Sequence, residues 1–426
     1  MIAKNNGRPT IFSGANVIDG TGAPGRRADV LVRSGKIVDV LPDCGVPDGA
    51  NIIDVTGKTI IPGLIDMHGH LYARATAEMR SQFKAYPKLY LAGGVTTIRS
   101  PGDFDPEGTV ALRNRINRGE ETGARIFTAG PYFDHKPSEV KWITGIDGTK
   151  EASVKFEEWK GLIDLVKVYT RITEQEFVHI TKMAHAQGFQ VVGHLGSLTA
   201  RRAIELGIDQ LEHGILTMTD FDSETLGELD MESPEVKSLI DLIAEREVII
   251  DPTTVTFQMM APDCKPVDPN WLRFLSPEAR AHQMDTAAKT ADQDPLKRES
   301  NRRAIEKQLE FVSMLRKQKV TVLCGTDPVH PGIVPGYGIH REMENLAMSG
   351  FTSLEIIKAA TLDSARGLGV ERDLGSIEAG KIADLAILDK DPCIDITNSS
   401  TIEMVIKEGI AYSPVKLRKS CEGQIS

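Results

Sequence analysis

Through its middle, this chain repeats one rhythm: a short apolar run, then a stretch with helical spacing. Strand candidates stand at 59–65, 95–99, 125–129, 165–169, 190–193, 210–212, 248–251 and 320–325. Strands alternating with helices are the pattern of βαβ units, whose strands lie parallel in one sheet. Eight such runs in a section of this length predict an α/β fold of the (β/α)8 TIM-barrel type rather than an open sheet. The helical signals between the runs agree. Thr173 with Glu176 forms a capping box, Phe177, Ile180 and Ala184 follow at helical spacing, and Gly188 closes the helix. Thr352 with Glu355 forms a second box, with Phe351 and Ile356 placed as a hydrophobic staple.

The two ends of the chain read differently. Short apolar runs broken by turn residues occupy 10–12, 29–32 and 36–40 at the front, and 383–388 and 402–406 at the back. Strands from both termini can pair into one small β-sandwich, because chain termini tend to lie close together. The expected division is a sandwich from residues 1–61 and 371–426, with the barrel at 62–370 inserted between them.

Bulk properties narrow the function classes. A net charge of -10 without a basic stripe gives no footing for nucleic acid. The five cysteines are scattered and never spaced C-x-x-C, so neither a disulfide framework nor a cysteine zinc site is expected. The start lacks an apolar signal core, and no run approaches the ~18 apolar residues of a membrane helix. A soluble cytoplasmic protein acting on a small molecule, with no membrane partner, is the expectation.

Chemistry-bearing residues collect where the strand candidates stop. The run 59–66 leads into Met67-His68-Gly69-His70. Residues i and i+2 of a strand share a face, so His68 and His70 can offer both imidazoles to one ion. The run 190–193 ends in His194, the run 209–212 in His213, and the run 320–326 in Asp327. The carboxyl ends of barrel strands form the rim where catalytic groups gather. A single histidine there is more often a hydrogen-bonded structural residue; four histidines and an aspartate from separate runs point to a metal site.

Lys167 lies in Leu165-Val166-Lys167-Val168-Tyr169, flanked by apolar residues. Burial favours its neutral amine, which can react with carbon dioxide to give an anionic carbamate able to bridge two cations. A lysine reaching the rim, or paired with a carboxylate, is the competing reading.

These residues together resemble the amidohydrolase superfamily. The resemblance rests on His68-Gly69-His70, Lys167, Val192-Gly193-His194, Glu212-His213-Gly214 and Gly325-Thr326-Asp327, in the family's order. Ile61-Pro62-Gly63-Leu64-Ile65-Asp66 and the segment 375–385 resemble its junctions between sandwich and barrel, so the similarity covers nearly the whole chain. Gly94-Val95-Thr96-Thr97 and His340-Arg341-Glu342-Met343-Glu344 place it nearest the imidazolonepropionase-like and Xaa-Pro dipeptidase-like branch.

The resemblance implies a zinc-type binuclear hydrolase of amide bonds in dipeptides or N-acyl amino acids. His68, His70 and Asp327 would hold one divalent metal ion, His194 and His213 the second, and carbamylated Lys167 would bridge them. A hydroxide between the ions would attack the carbonyl, and Asp327 would pass its proton to the leaving group. Zinc suits such nitrogen and oxygen ligands, with manganese or cobalt also fitting. Relatives are frequently homo-oligomers. Opening of a cyclic amide or lactone is the alternative; a non-catalytic scaffold is disfavoured because all six ligand positions are filled.

Two stretches depart from the family pattern, Arg99-Ser100-Pro101 and Gly130-Pro131-Tyr132-Phe133-Asp134-His135. Both are expected on rim loops that line a substrate pocket and leave the metals alone. Candidate substrate contacts are Tyr169, two residues after Lys167, then His340 and His135. His330 and His340 bracket a glycine-rich loop able to act as a lid. His179 and His185 are expected to face solvent.

Overall fold

The structure, a computed structural model, describes residues 8–260, 269–291, 295–329 and 332–426; His330 and Pro331 of the expected lid lie outside the described residues. Among the described residues no helix is long and apolar enough to cross a membrane.

The middle of the chain forms parallel strands in sequence order. Leu64–Asp66, Val95–Ser100 and Arg125–Thr128 make one parallel sheet. Val166–Val168, Val191–Gly193, Gln210–Glu212 and Ile249–Asp251 make a second. Hydrogen bonds join the two sheets. Phe133 pairs with Val168 in a parallel bridge, and Asp164 N donates to Thr128 O at 2.8 Å. On the other side Ile250 pairs with Val322, and Met67 N donates to Cys324 O at 3.1 Å. These contacts carry the pairing right round a ring. The eighth run contributes a bridge at Val322 rather than a ladder, so it is the least regular part.

Helices pack outside. Glu174–Ala186 begins at the expected capping box: Thr173 Oγ1 accepts from Glu176 N at 3.3 Å, and Thr173 N donates to Glu176 Oε2 at 3.1 Å. Its apolar stripe, Phe177, Ile180 and Ala184, is fully buried with Val166, Val191 and Ile250 of the strands in one continuous core. At about 25 cal/mol per Å² of apolar surface, burying this stripe, rather than helix propensity, holds the helix in place.

Both termini build a single eight-stranded sheet. Its order runs Ile410–Tyr412, Ile402–Lys407, Leu385–Leu388, Thr59–Pro62, Thr10–Val17, Arg26–Arg33 and Lys36–Leu41, with Asn51–Asp54 also paired to Thr10–Val17. Phe12, Val30, Ile60, Leu385 and Ile406 form its separate core.

The expected strand over 59–65 is divided. Thr59–Pro62 pairs antiparallel with Leu385–Leu388, whereas Leu64–Asp66 enters the ring. The switch falls at Gly63, whose amide donates to Asp384 O at 2.8 Å. A Cβ there would lie 2.3 Å from Thr96 Oγ1, so the close crossing of the two sheets needs glycine.

Candidate active site

The carboxyl ends of the ring strands converge on one buried cluster. Strand Leu64–Asp66 leads directly to His68 and His70. The carboxylate of Asp66 fixes that exit by accepting from His68 N at 3.1 Å, Thr326 N at 3.1 Å and Thr326 Oγ1 at 2.7 Å. The first and last strand ends are thereby tied together. Asp327 follows, with its Oδ1 3.4 Å from His70 Nε2 and 3.9 Å from His68 Nε2. These three residues present ligand atoms within 4.8 Å of one another, a spacing that could hold an ion.

The other expected ligands lie alongside. The His68 and His213 ring centroids are 4.8 Å apart, and those of His213 and His194 are 4.4 Å apart. His213 Nδ1 is 2.7 Å from Thr253 Oγ1, which orients the ring. Lys167 projects from Val166–Val168 and is 1% exposed, and its Nζ has no hydrogen-bond partner among the described residues. The same is true of His70 Nδ1 and Asp251 Oδ1. Unpaired buried polar atoms are rare in folded proteins and call for a reason.

Burial first, then neighbouring cationic groups, hold the imidazoles of His68 and His213 well below the usual histidine range and those of His70 and His194 at about 3. Neutral imidazoles keep a lone pair for a ligand. Burial also brings Lys167 down to about 8 and Asp327 up to about 7. The backbone is strained at the same place: His213 (φ 66°) and Asp327 (φ 49°) both adopt the left-handed conformation. Such a conformation costs on the order of 1–3 kcal/mol in a residue with a Cβ, and it clusters at functional sites.

Arg99 and Ser100 do not lie on a rim loop. They belong to strand Val95–Ser100 and are fully buried, because a parallel strand of the ring is covered on both faces. The Arg99 guanidinium fills the floor beneath the cluster. Its Nη2 donates to Glu212 Oε1 at 2.8 Å and Asp251 Oδ2 at 3.1 Å, its Nη1 to Gln210 Oε1 at 2.5 Å, and its Nε to Met67 O. Glu212 in turn reaches His68, with Oε2 2.6 Å from Nδ1. The departure at Arg99 therefore acts through Glu212 on His68, one of the expected ligands. Glu212, Asp251 and Asp66 carry no functional expectation from the sequence. For Asp66 and Glu212 the available signal was their place at the ends of strands that lead into His68 and His213; Asp251 closes a strand that leads into no histidine.

Of the expected substrate residues, Tyr169 stands at the cluster, its ring 5.1 Å from that of His194. His135 and His340 are placed elsewhere. His135 Nδ1 is 2.9 Å from Glu176 Oε1, so it supports the cap of helix Glu174–Ala186. His340 is buried beyond the amino end of Val95–Ser100, opposite the cluster, where Nε2 meets Gly93 O and Nδ1 meets Ser399 Oγ, both at 2.9 Å. Both its ring nitrogens are satisfied there, which corrects the expectation that it contacts substrate. His179 and His185 also find partners, Ser153 Oγ at 2.7 Å and Asp209 Oδ2 at 2.9 Å.

Comparisons with known proteins agree with this geometry. The sequence profile of the amidohydrolase family matches residues 59–412. A segment of 101 residues is 32% identical to a dihydroorotase from Mycobacterium tuberculosis, but the match spans only 23% of this chain and 23% of that protein. An imidazolonepropionase from Pseudomonas paraeruginosa is 25% identical over 381 residues, covering 83% of this chain and 86% of that one. A solved Xaa-Pro dipeptidase with methionine bound in its active site superposes with a TM-score of 0.73, at 22% identity, over 95% of this chain and 100% of that one, which is a likeness of fold.

Proposed function

Since the chain belongs to the amidohydrolase family, whose members act on amide and other C–N bonds, we propose that it hydrolyses an amide bond in a dipeptide or N-acyl amino acid at a two-metal centre. The observation that carries this reading is Lys167, an amine buried among neutral imidazoles with no hydrogen-bond partner among the described residues. A lysine kept for structure alone would be paired, because an isolated buried ammonium is costly.

The donor set fits two divalent cations of the zinc type: His68, His70 and Asp327 for one, His194 and His213 for the other, with Lys167 between them. Neutral Lys167 Nζ would attack carbon dioxide and lose a proton, and the resulting carbamate would offer an anionic ligand to both positions. Bound cations would supply an acidified water and polarise the scissile carbonyl. The chain's own groups do the rest. Asp327 sits at the edge of the cluster, able to take a proton from the attacking side and return it to the leaving nitrogen. Glu212 keeps His68 in one tautomer, and Tyr169 borders the space beside His194. The architecture we infer around the site is a (β/α)8 barrel at 62–370 with a β-sandwich from 1–61 and 371–426.

The test is metal analysis of the purified protein followed by assay against dipeptides, N-acyl amino acids, cyclic amides and lactones. About two cations per chain are expected, with loss of both activity and the second cation in Lys167→Ala. One cation per chain, with activity retained in that variant, would overturn the two-metal reading. The partial match to a dihydroorotase and the longer match to an imidazolonepropionase favour a second reading, opening of a cyclic amide, which turnover confined to cyclic substrates would establish.

A further inference from the structure

Aromatic rings enclose the cluster in an unbroken circuit. From His70 the ring of Tyr72 is 4.6 Å away, Trp142 follows Tyr72 at 5.5 Å, and Tyr132 follows Trp142 at 5.5 Å. Tyr169 follows Tyr132 at 5.0 Å, and His194 follows Tyr169 at 5.1 Å. His194 leads through His213 to His68, at 4.4 and 4.8 Å, and His68 returns to His70 at 5.0 Å. Phe104 thickens the wall, 5.4 Å from Trp142 and 6.1 Å from Tyr72. Half of this circuit consists of the expected ligands; the other half is a wall facing them.

Two polar atoms of the wall are taken up within it. The hydroxyls of Tyr72 and Tyr132 lie 2.6 Å apart and satisfy each other. The nearby carboxylate of Asp103 accepts from Ser100 Oγ at 2.7 Å, Thr109 Oγ1 at 3.1 Å and Thr128 Oγ1. Behind the wall, Phe104, Tyr132, Trp142 and Trp159 line a cavity of about 790 Å³. Its central cation, Lys155, donates to Tyr132 O at 2.6 Å and Thr144 O at 2.7 Å, and Lys136 is paired with Glu151 at 2.6 Å. Lys150 and Glu158 complete its charged lining, beside the apolar faces of Phe104, Trp142 and Val154. Trp142, half-buried, belongs to both the circuit and the cavity.

We propose that the substrate carries a large apolar group, preferably aromatic, beside the scissile bond, and that this group is bound against the cluster-facing wall at Trp142, which Phe104 backs. Ring packing onto Trp142 rewards an aromatic group beyond its buried area, because offset and edge-to-face pairs at these separations are attractive. A small side chain would leave the wall in contact with water. This inference rests on the hydrolytic reading above and assigns its specificity.

The test uses the metal-loaded full-length protein and matched dipeptides and N-acetyl amino acids. Only the side chain beside the scissile bond changes, through glycine, leucine, phenylalanine, lysine and glutamate. The phenylalanine substrates are expected to exceed the glycine ones in kcat/KM by about tenfold or more, a ratio within reach of one apolar pocket. That ratio should fall to about threefold or less in Trp142→Ala and be retained in Trp142→Phe, which also guards against a folding defect. Calorimetric binding of free phenylalanine and glycine to each variant supplies a readout independent of turnover. Hydrolysis without side-chain preference, or a preference that survives Trp142→Ala, overturns the pocket and leaves the hydrolase. No hydrolysis of any member overturns the hydrolase, and the pocket then stands only if phenylalanine still binds tighter through Trp142. Neither hydrolysis nor selective binding overturns both.

Discussion

At the scale of single residues, the contact between His68 Nδ1 and Glu212 Oε2, 2.6 Å, decides which nitrogen of His68 is free. A carboxylate there accepts from Nδ1–H, so the lone pair sits on Nε2, the atom nearer Asp327. Arg99 keeps Glu212 in position through a buried contact at 2.8 Å. Groups that orient a ligand in this way typically govern 10–100-fold in metal affinity. Glu212→Gln is therefore expected to weaken binding at the His68 position about tenfold or more, read by competition against a metallochromic chelator while circular dichroism stays native. Unchanged affinity would remove Glu212 from the site. Away from the cluster, burial lowers the His340 imidazole to about 4, whereas in the unfolded chain it titrates near 6.5. Below about pH 6.5 the unfolded chain takes a proton that the folded one refuses, so stability is full above that pH and falls toward pH 4. Between pH 6.5 and 5 the wild type should lose about 1.5 kcal/mol more than His340→Gln, measured by urea unfolding at both values. Parallel losses in the two proteins would show that His340 is not the titrating group.

At the scale of elements, the sequence exposed what is local and concealed what is paired at a distance. The capping boxes at Thr173 and Thr352 were legible because all their partners lie within one helical turn. The ligand-bearing strand ends were legible because an apolar run stopping at a histidine needs no distant information. The division at Gly63 was not, because it depends on Leu385–Leu388 pairing with Thr59–Pro62. Arg99 was misplaced because the three carboxyl and amide partners that hold it inside come from Gln210, Glu212 and Asp251, on other strands. Of the aromatic wall, Tyr169 and the Tyr132 loop were legible from their places after strand candidates, whereas Phe104 and Trp142 gave no signal because they sit on loops without periodicity. Helix contacts show the same dependence on distant partners. Helix Tyr86–Ala92 ends at Gly93, where an added Cβ would lie 1.8 Å from Gly336 O, a backbone atom that cannot swing away. Gly93→Ala is expected to cost more than about 4 kcal/mol or to prevent soluble expression, the range of forced backbone rearrangement. Gly161→Ala, with nothing within 4 Å, should stay within about 0.5 kcal/mol in the same thermal melts. Equal melting of the two variants would contradict the close packing of the 93 and 336 turns.

At the scale of the whole molecule, residues far apart in sequence are held in one frame by few ties. Arg125 links the ring to the terminal sheet, bonding Asp384 at 2.7 Å, Glu408 at 2.8 Å and Thr97 Oγ1 at 2.9 Å. The expected ligands, from His68 to Asp327, stand at the ends of strands distributed around the ring, including the eighth run, which is held by a bridge rather than a ladder. A cation gripping His68, His70 and Asp327 would therefore reinforce the place where the ring closes. Ligands that bind only the folded state stabilise it by mass action, about 2.7 kcal/mol at a hundredfold excess over Kd. Stripping the protein with a chelator should then lower Tm, and zinc should restore it in a concentration-dependent way while magnesium, which prefers octahedral oxygen sites, does not. Lys167→Ala should keep only part of the zinc response, because the position expected to link the two ions is lost. A Tm indifferent to chelator and to zinc would mean that the cluster holds no cation coupled to folding.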